Sequence, residues 1–460
     1  MTQLPILQEN SFLTLLIKDN FIHANLAYSD LSTHKSYILS DSTDLSPLKF
    51  RLDDVVFTRN FWFEYFDSLE KVFNWDIVDK RFEGVFKIKH FEREGIGVGG
   101  VKIIVDDNQP FFKNIFLSLR DFSRDISIKV GDDKYMEEIC KGLLERLGYS
   151  DLIWLDLDIS HFSIYRARKE ELKAVSKNEQ PITKIQFTSS KIDWKNEIGL
   201  IDFIKSSKIK AFFSQDTSSS EISDRWANFI AHNCEYIADP LLHDILRAFT
   251  TMQILSIKQQ NKDKLGDIFG ENSAIILTGS IPKLLTIKEL LFAVIDGLEL
   301  DGIFDMYIDN ENKLLTFGKN FIEKEKASDI VVFRGDILPS IFKLLIPEIS
   351  RKNKDKVIFS GKVLAQNQDT REMFAFGSSL QILKIPHVDE KIIIQGELKN
   401  GAVFSNLTYT DIEFLSIKDS LEYKYLIVDG RMRPIVYGPS AQENRIKFKV
   451  WGDADKEWSI

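Results

Sequence analysis

Two stretches of the sequence repeat one hairpin pattern. Each has an apolar strand, a short polar tip and a second, alternating strand, at Phe12–Leu26 and at Leu152–Arg166. In the second stretch, Leu152–Leu155 is continuously apolar, which is typical of a strand buried on both faces. The repeat predicts two similar units in one chain, each of which opens with a hairpin.

The length and charge of the chain limit the classes of protein to which it can belong. A chain of 460 residues favours two to three domains, and 44% hydrophobic with 28% charged residues is ordinary for a globular protein. The net charge of −9 disfavours a nucleic-acid partner, which needs a concentrated basic face. It gives no support for binding to an anionic membrane either.

The cysteines and the N-terminal residues indicate the cellular setting. Cys140 and Cys234 lie in helical patterns without a CxxC partner, so neither a cysteine metal site nor a disulfide framework is expected. Met1–Pro5 lacks the features of a signal peptide, and no apolar run approaches the roughly 20 residues of a membrane-spanning helix. We therefore expect a cytoplasmic, reduced setting without membrane insertion.

Hydrophobic periodicity predicts the main helices. Tyr135–Leu147 has apolar residues at helical spacing, Asp132 or Asp133 can cap its start, and Gly148 suits the left-handed residue after its end. Further helices are predicted at Arg225–Gln260 with a break at Asp239-Pro240, Thr286–Leu298 and Leu338–Ile349. The aromatic-rich segment Asn60–Phe73 fits either a short buried helix or a strand-helix junction.

Short apolar runs predict the strands, which dominate the last third of the sequence. They are Leu48–Val56, Val85–Glu92, Val101–Val105, Ala274–Leu277, Val357–Phe359, Lys391–Gln395, Tyr425–Val428 and Ile446–Val450. Gly95–Gly100 matches GxGxxG, but a strand follows it where a dinucleotide site needs a helix. We interpret it as a glycine turn between strands.

Three segments in order resemble the actin-like ATPases: the two hairpins and then Ala274–Ser280, which has the pattern strand, Thr-Gly-Ser, helix. The resemblance covers roughly residues 10–320. It implies that Thr278, Gly279 and Ser280 approach an adenosine, because glycine lets a backbone come close to a ligand.

A narrower resemblance is to bacterial proteins related to the glutamate-mutase-associated L protein. Asp305–Gly318 is similar to the segment that closes their actin-like part, and Val428–Pro434 with Arg445–Trp451 is similar to their C-terminal D-x-R-x-R-P region. This resemblance implies a nucleotide-type fold with a β-rich tail and no known reaction.

The predicted fold is therefore α/β: a two-lobed, actin-like (duplicated ribonuclease-H-like) domain followed by a β-rich C-terminal domain. The expected boundaries are residues 1–150 for lobe I, 151–325 for lobe II and 326–460 for the C-terminal domain.

The tips of the hairpins depart from the pattern of actin-like ATPases, which place Asp and then Gly at each tip to hold Mg²⁺ and phosphate. In the first hairpin the matching positions are Leu16 and Lys18. In the second, Asp156 is retained, but Asp158 replaces the glycine. His161 or Phe162 stands where a threonine donates to phosphate.

The resemblance thus assigns Asp156, Asp158, Ser160, Thr278, Gly279 and Ser280 as candidate nucleotide-binding residues, and it assigns no catalytic residue. Two interpretations of the second tip stay open. Asp156 and Asp158, with His161, form a remodelled Mg²⁺ or Ca²⁺ site, or they are polar relics at a solvated tip.

Arg431 and Arg433 alternate on a predicted strand and so share a face, where they could clamp a phosphate or carboxylate. The alternative is an internal ion pair with Asp429.

The loss of the tip residues favours a non-catalytic pseudo-ATPase scaffold that binds a partner protein and can oligomerise. The alternative is an ATP-binding chaperone or reactivase of the L-protein type, at most a weak ATPase. ATP and Mg²⁺ are possible cofactors but are not favoured. A sugar-kinase-type enzyme would need a catalytic carboxylate that the sequence does not indicate.

Overall fold

The structure is a computed structural model of the chain. It describes residues 11–18, 21–30, 35–44, 61, 64–74, 101–106, 126–159, 161–172, 182–193, 213, 217–231, 239–261, 272–316, 341–353, 356–365, 371–384, 392–404, 411–416, 423–431 and 443.

The chain divides into two compact units, of which the first contains residues 1–146 and 311–339. Its sheet has five strands in the order β3-β2-β1-β4-β5. β2 is antiparallel to both β1 and β3, whereas β4 and β5 run parallel to β1. The bounds are β1 Ser11–Lys18, β2 Phe21–Asp30, β3 Lys35–Asp44, β4 Val101–Asp106 and β5 Ile126–Gly131.

The second unit contains residues 147–310 and 340–460 and repeats this order in a larger sheet. In β8-β7-β6-β9-β10, the hairpin strands are antiparallel, and β9 and β10 run parallel to β6. The bounds are β6 Asp151–Leu157, β7 His161–Leu172, β8 Ile182–Asp193, β9 Ser273–Thr278 and β10 Gly302–Ile308. The predicted α/β class with a duplicated unit is confirmed by this shared order and direction.

The helices that the structure describes in the second unit pack on one face of this sheet. They are α2 Ser219–Ala231, α3 Pro240–Gln260, α4 Ile281–Leu284 and α5 Ile287–Leu298. One core joins their apolar residues to those of the strands, including Leu155 of β6 and Phe304 of β10. The predicted break before Pro240 is confirmed, since Asp239 caps α3 by accepting from the amide of Leu241 at 3.0 Å.

Helix α1, Asp133–Leu147, lies in the first unit up to Arg146 and begins as predicted. The carboxylate of Asp132 accepts from the backbone N–H of Tyr135 at 2.9 Å, and Gly148 has a φ of +77° after the helix. The Tyr135 hydroxyl donates to the carbonyl of Leu315 at 2.6 Å, which ties the segment after Glu311 to this unit. Residues 64–74 are also helical and bury Tyr65, which is the buried-helix alternative for this aromatic segment.

The later strands form two groups. β11 Ile341–Ile346, β14 Leu380–Lys384 and β17 Tyr423–Asp429 extend the large sheet beyond β10, in the order β14-β17-β11-β10. β12 Val357–Ala365, β13 Arg371–Phe376, β15 Ile392–Leu398 and β16 Asp411–Ser416 form a separate four-stranded sheet.

The structure differs from the sequence prediction in this region. The helix predicted at Leu338–Ile349 is wrong, because Ile341–Ile346 is a strand paired between β10 and β17. A short apolar run fits a buried strand as well as a helix, and the neighbouring strands decide between them. Part of residues 326–460 therefore shares a sheet with β10, and the boundary near residue 325 remains a prediction.

Several predicted features lie outside the described residues: Leu48–Val56, Val85–Glu92, Gly95–Gly100, Ser160, Cys234, Arg433 and Ile446–Val450. Within the described ranges, the helices lack the length and apolar character needed to cross a membrane.

Candidate functional site at the tip of the second hairpin

The tip between β6 and β7 brings three sequence-predicted residues together. One potential ligand atom from each of Asp156, Asp158 and His161 lies within 4.8 Å of the other two. All three side chains are buried, with at most 5% of any of them exposed. The Nε2 atom of His161 lies 3.6 Å from Oδ2 of Asp158. The tip is thus a compact, buried group of two carboxylates and one imidazole.

Thr278, at the end of β9, orients the first carboxylate. β9 runs parallel to β6 and places Thr278 beside Asp156 in the ladder. The Thr278 hydroxyl donates to Oδ1 of Asp156 at 2.6 Å, and the indole N–H of Trp154 donates to the Thr278 oxygen at 2.8 Å. Trp154 and Asp156 share a face because side chains alternate along a strand. Each donor in this chain of hydrogen bonds sets the direction of the next.

The turn after β9 orients the second carboxylate. The backbone N–H of Ser280 donates to Oδ1 of Asp158 at 2.8 Å, and the Ser280 hydroxyl accepts from the backbone N–H of Ile159 at 3.1 Å. Gly279 has a φ of +102°, and a Cβ there would lie 2.4 Å from the carbonyl oxygen of Leu157. Thr278, Gly279 and Ser280 are therefore packed against the hairpin tip itself.

The backbone N–H groups of the tip that the structure describes are used inside the protein. That of Asp158 donates to the carbonyl of His161 at 3.1 Å, and that of Ile159 donates to Ser280, as above. Phe162 is fully buried, and its ring packs edge-on against Phe249 at a centroid distance of 5.7 Å. A phosphate cradle needs N–H groups that point at the ligand, and these two do not.

The first hairpin offers different chemistry. Leu16 and Lys18, which occupy the positions matched to the Asp and Gly of an ATPase tip, are both buried at the end of β1. Neither can supply a carboxylate to Mg²⁺.

The predicted anion clamp is corrected for Arg431. Its guanidinium is 1% exposed and donates to both oxygens of Asp296, at 3.1 and 2.8 Å. It also donates to both oxygens of Asp429, at 2.9 and 2.8 Å, and lies 4.5 Å from the centroid of the Phe292 ring.

Burial alone would lower the pKa of Arg431, but the charges of Asp296 and Asp429 and their hydrogen bonds raise it overall. The arginine is therefore held as a cation in an internal ion pair that joins the end of β17 to α5. This was the alternative interpretation of the motif.

Sequence reasoning missed three residues around these groups. Trp154 and Ser163 lie on the same face of the β6–β7 hairpin as Asp156, since Ser163 is its direct partner in the ladder. Their positions relative to Asp156 follow from strand alternation once the register is known. Asp296 gives no comparable signal, because it lies in a helix 135 positions from Arg431.

No family model matches the chain, and no curated protein is similar to it in sequence. The structure shows low similarity to several solved structures. The ethanolamine utilization protein EutJ from Carboxydothermus hydrogenoformans aligns with a TM-score of 0.33 and 11% identity, over 68% of this chain and 89% of that one.

Two other solved structures are similar to the same degree. A Bacteroides thetaiotaomicron protein of unknown function with an actin-like ATPase fold has a TM-score of 0.28 and 10% identity, over 65% of this chain and 91% of its own. Hexokinase from Schistosoma mansoni has a TM-score of 0.33 and 8% identity, over 70% of this chain and 87% of the hexokinase. These TM-scores are too low to identify a fold. The assignment of the fold therefore rests on the strand order that the two units share.

Proposed function

We propose that the chain is a non-catalytic, actin-like pseudo-ATPase that acts as a scaffold for a partner protein in the cytoplasm. One observation carries the proposal: in the part of the second tip that the structure describes, the groups that would grip phosphate are bonded within the protein. The backbone N–H groups of Asp158 and Ile159 have internal acceptors, and one oxygen of each tip carboxylate accepts from the segment after Leu277.

Charge and shape at the tip add to this argument. Asp158 places a carboxylate where an actin-like ATPase has glycine, and a carboxylate repels a triphosphate unless a cation lies between them. Phe162, fully buried, has no group that can donate to phosphate. The first tip has no carboxylate at position 16 to share the binding of Mg²⁺. Hydrolysis of ATP thus lacks several of the groups on which it depends.

One observation favours the second candidate, an ATP-binding chaperone or reactivase of the L-protein type. The retained Asp156 lies directly beside Thr278, in the same segment as Gly279 and Ser280. The second and third segments of the actin-like pattern are therefore adjacent, as nucleotide binding would require. This candidate needs the tip to open before phosphate can approach it.

Calorimetric titration of the purified chain with ATP, with and without Mg²⁺, separates the two candidates. The scaffold proposal predicts no heat of binding at millimolar ATP and no shift in thermal unfolding. Micromolar, Mg²⁺-dependent binding that is lost in Asp156→Ala and in Gly279→Val would overturn it in favour of the chaperone.

A matched control is Glu372→Ala, which removes a carboxylate that is 60% exposed in the four-stranded sheet. Any ATP binding must survive this substitution if it takes place at the tip. Both tip variants are first checked for native unfolding behaviour, so that loss of binding is not loss of fold.

A further inference from the structure

We propose that Asp156, Asp158 and His161 form a mononuclear site for a divalent first-row transition metal, with Zn²⁺ as its best match. The site does not require a nucleotide, so the inference stands apart from the scaffold proposal. It also departs from the Mg²⁺ or Ca²⁺ that the carboxylate spacing alone suggests.

The distances between the ligand atoms are close to those of a metal site. Zn²⁺ binds histidine nitrogen and carboxylate oxygen at about 2.0–2.2 Å, so neighbouring ligands in a tetrahedron are separated by about 3.3 Å. The Asp158 Oδ2 to His161 Nε2 distance is 3.6 Å, and the whole set of ligand atoms lies within 4.8 Å. Small side-chain rotations would bring all three onto one ion.

One oxygen of each carboxylate accepts a hydrogen bond, as is usual for the carboxylate ligands of a metal. Thr278 donates to Oδ1 of Asp156, and the backbone N–H of Ser280 donates to Oδ1 of Asp158. Trp154 donates to the Thr278 oxygen and thereby points the threonine proton at Asp156. Such outer partners orient the ligands before the ion arrives.

Ser163 supplies an independent observation. It is the direct partner of Asp156 in the β6–β7 ladder, so the two side chains share a face of the sheet. Its hydroxyl is buried, and it has no hydrogen-bond partner among the residues that the structure describes. Buried hydroxyls are almost always bonded. A water bound to the metal beside Asp156 would give this hydroxyl a partner.

The mixed donor set selects the class of ion. Carboxylates alone suit Mg²⁺, Ca²⁺ and Mn²⁺, whereas an imidazole favours Zn²⁺ and its transition-metal neighbours. Three protein ligands leave a fourth, open position in a tetrahedral site. The ion would also neutralise two buried carboxylates and connect Asp156 of β6, and Asp158 just after it, to the first residue of β7. We infer that it rigidifies the tip that an ATPase would use for phosphate.

The test begins with the wild-type chain, stripped with a chelator and titrated with Zn²⁺ in the absence of nucleotide. We expect one equivalent of Zn²⁺ per chain, little competition from excess Mg²⁺, and a higher thermal unfolding temperature with Zn²⁺ bound. The Co²⁺ form should show the visible absorption of a tetrahedral site. Failure of the wild-type chain to bind either ion at micromolar concentration overturns the proposal without any variant.

Substitutions then locate the ion. His161→Gln and Asp158→Asn should each weaken Zn²⁺ binding by roughly 100-fold or more, and Thr278→Val, which removes only an outer partner, by roughly 10–100-fold. His243→Gln is the matched control, because His243 also contacts a carboxylate, Glu289, at 2.9 Å but lies on α3. Equal binding by wild type and His161→Gln, or loss of binding in His243→Gln alone, would place the ion elsewhere.

The ATP titration tests the scaffold proposal and the Zn²⁺ titration tests the metal site, so either proposal can fail without the other. Zn²⁺ binding without ATP binding supports both proposals, whereas ATP binding without Zn²⁺ binding overturns both. The measurement of Zn²⁺ contains no nucleotide, so its outcome does not depend on which function is right.

Discussion

Gly279 lies so close to Leu157 that no side chain fits between them. A Cβ at position 279 would lie 2.4 Å from the Leu157 carbonyl oxygen and 2.8 Å from Oδ1 of Asp158. The first of these atoms belongs to the backbone of β6, so it cannot rotate away as a side chain can. This contact seats the turn after β9 against the hairpin tip.

Gly279→Ala should therefore destabilise the chain by about 2–5 kcal/mol, from the positive φ and from the clash with backbone atoms. Gly148→Ala is the control: its φ is +77°, but a Cβ there meets nothing within 4 Å, so only the conformational cost of about 1–2 kcal/mol remains. Urea unfolding of both variants measures the difference. Equal losses would show that the contact with Leu157 is unimportant.

Arg431→Met should lower the free energy of unfolding by about 3–5 kcal/mol, because it leaves the carboxylates of Asp296 and Asp429 buried without their cation. Arg225→Met is the comparison, because Arg225 is 43% exposed in its pair with Asp239. This substitution should lower the free energy of unfolding by at most about 1 kcal/mol.

Adding Asp296→Asn to Arg431→Met should recover part of the loss, as measured by chemical unfolding of the single and double variants. A double variant no more stable than Arg431→Met would argue against charge burial as the cause.

Glu289 makes the stability of α5 depend on pH. Burial raises the pKa of its carboxyl, but hydrogen bonds from His243 and from the N–H and hydroxyl of Thr286 lower it overall. A lowered pKa in the folded state contributes stability above the unfolded pKa of about 4.3, and this stability is lost as the pH falls through the folded value.

The free energy of unfolding of wild type should therefore exceed that of Glu289→Gln near neutral pH, by about 1 kcal/mol for a helix cap of this kind. The difference should shrink at an acidic pH below the folded pKa of Glu289, where the carboxyl is protonated in both states. Unfolding curves at the two pH values test this, and a difference that does not change with pH would contradict it.

Cys140 should be unreactive in the folded chain. Its thiol is fully buried in α1, and burial raises its pKa, which suppresses the thiolate that alkylating reagents attack. We expect alkylation of the Cys140 peptide, followed by mass spectrometry, to be roughly 100-fold or more slower in the native chain than in urea, because only opened molecules react. Similar rates in both conditions would mean that α1 opens readily.

Local patterns in the sequence predicted much of the fold. Alternation and continuous apolar runs located both hairpins, and helical spacing with its caps located α1, α3 and α5 near their observed ends. These features depend on residues that are close together in the sequence, so they can be predicted without the tertiary structure. Ile341–Ile346 was predicted as a helix because the partners that make it a strand, β10 and β17, are distant in sequence.

Some features of the candidate site were likewise predictable from local sequence, and others were not. The sequence by itself determined which carboxylates and which histidine stand at the second tip, and that the glycine of an ATPase is missing there. Only the tertiary structure decided that Thr278 and Ser280 bond these carboxylates, that Ser163 faces Asp156, and that Arg431 is saturated by Asp296 rather than open to a ligand. Strand register and the packing of residues distant in sequence create these contacts, and a local stretch of sequence determines neither of them.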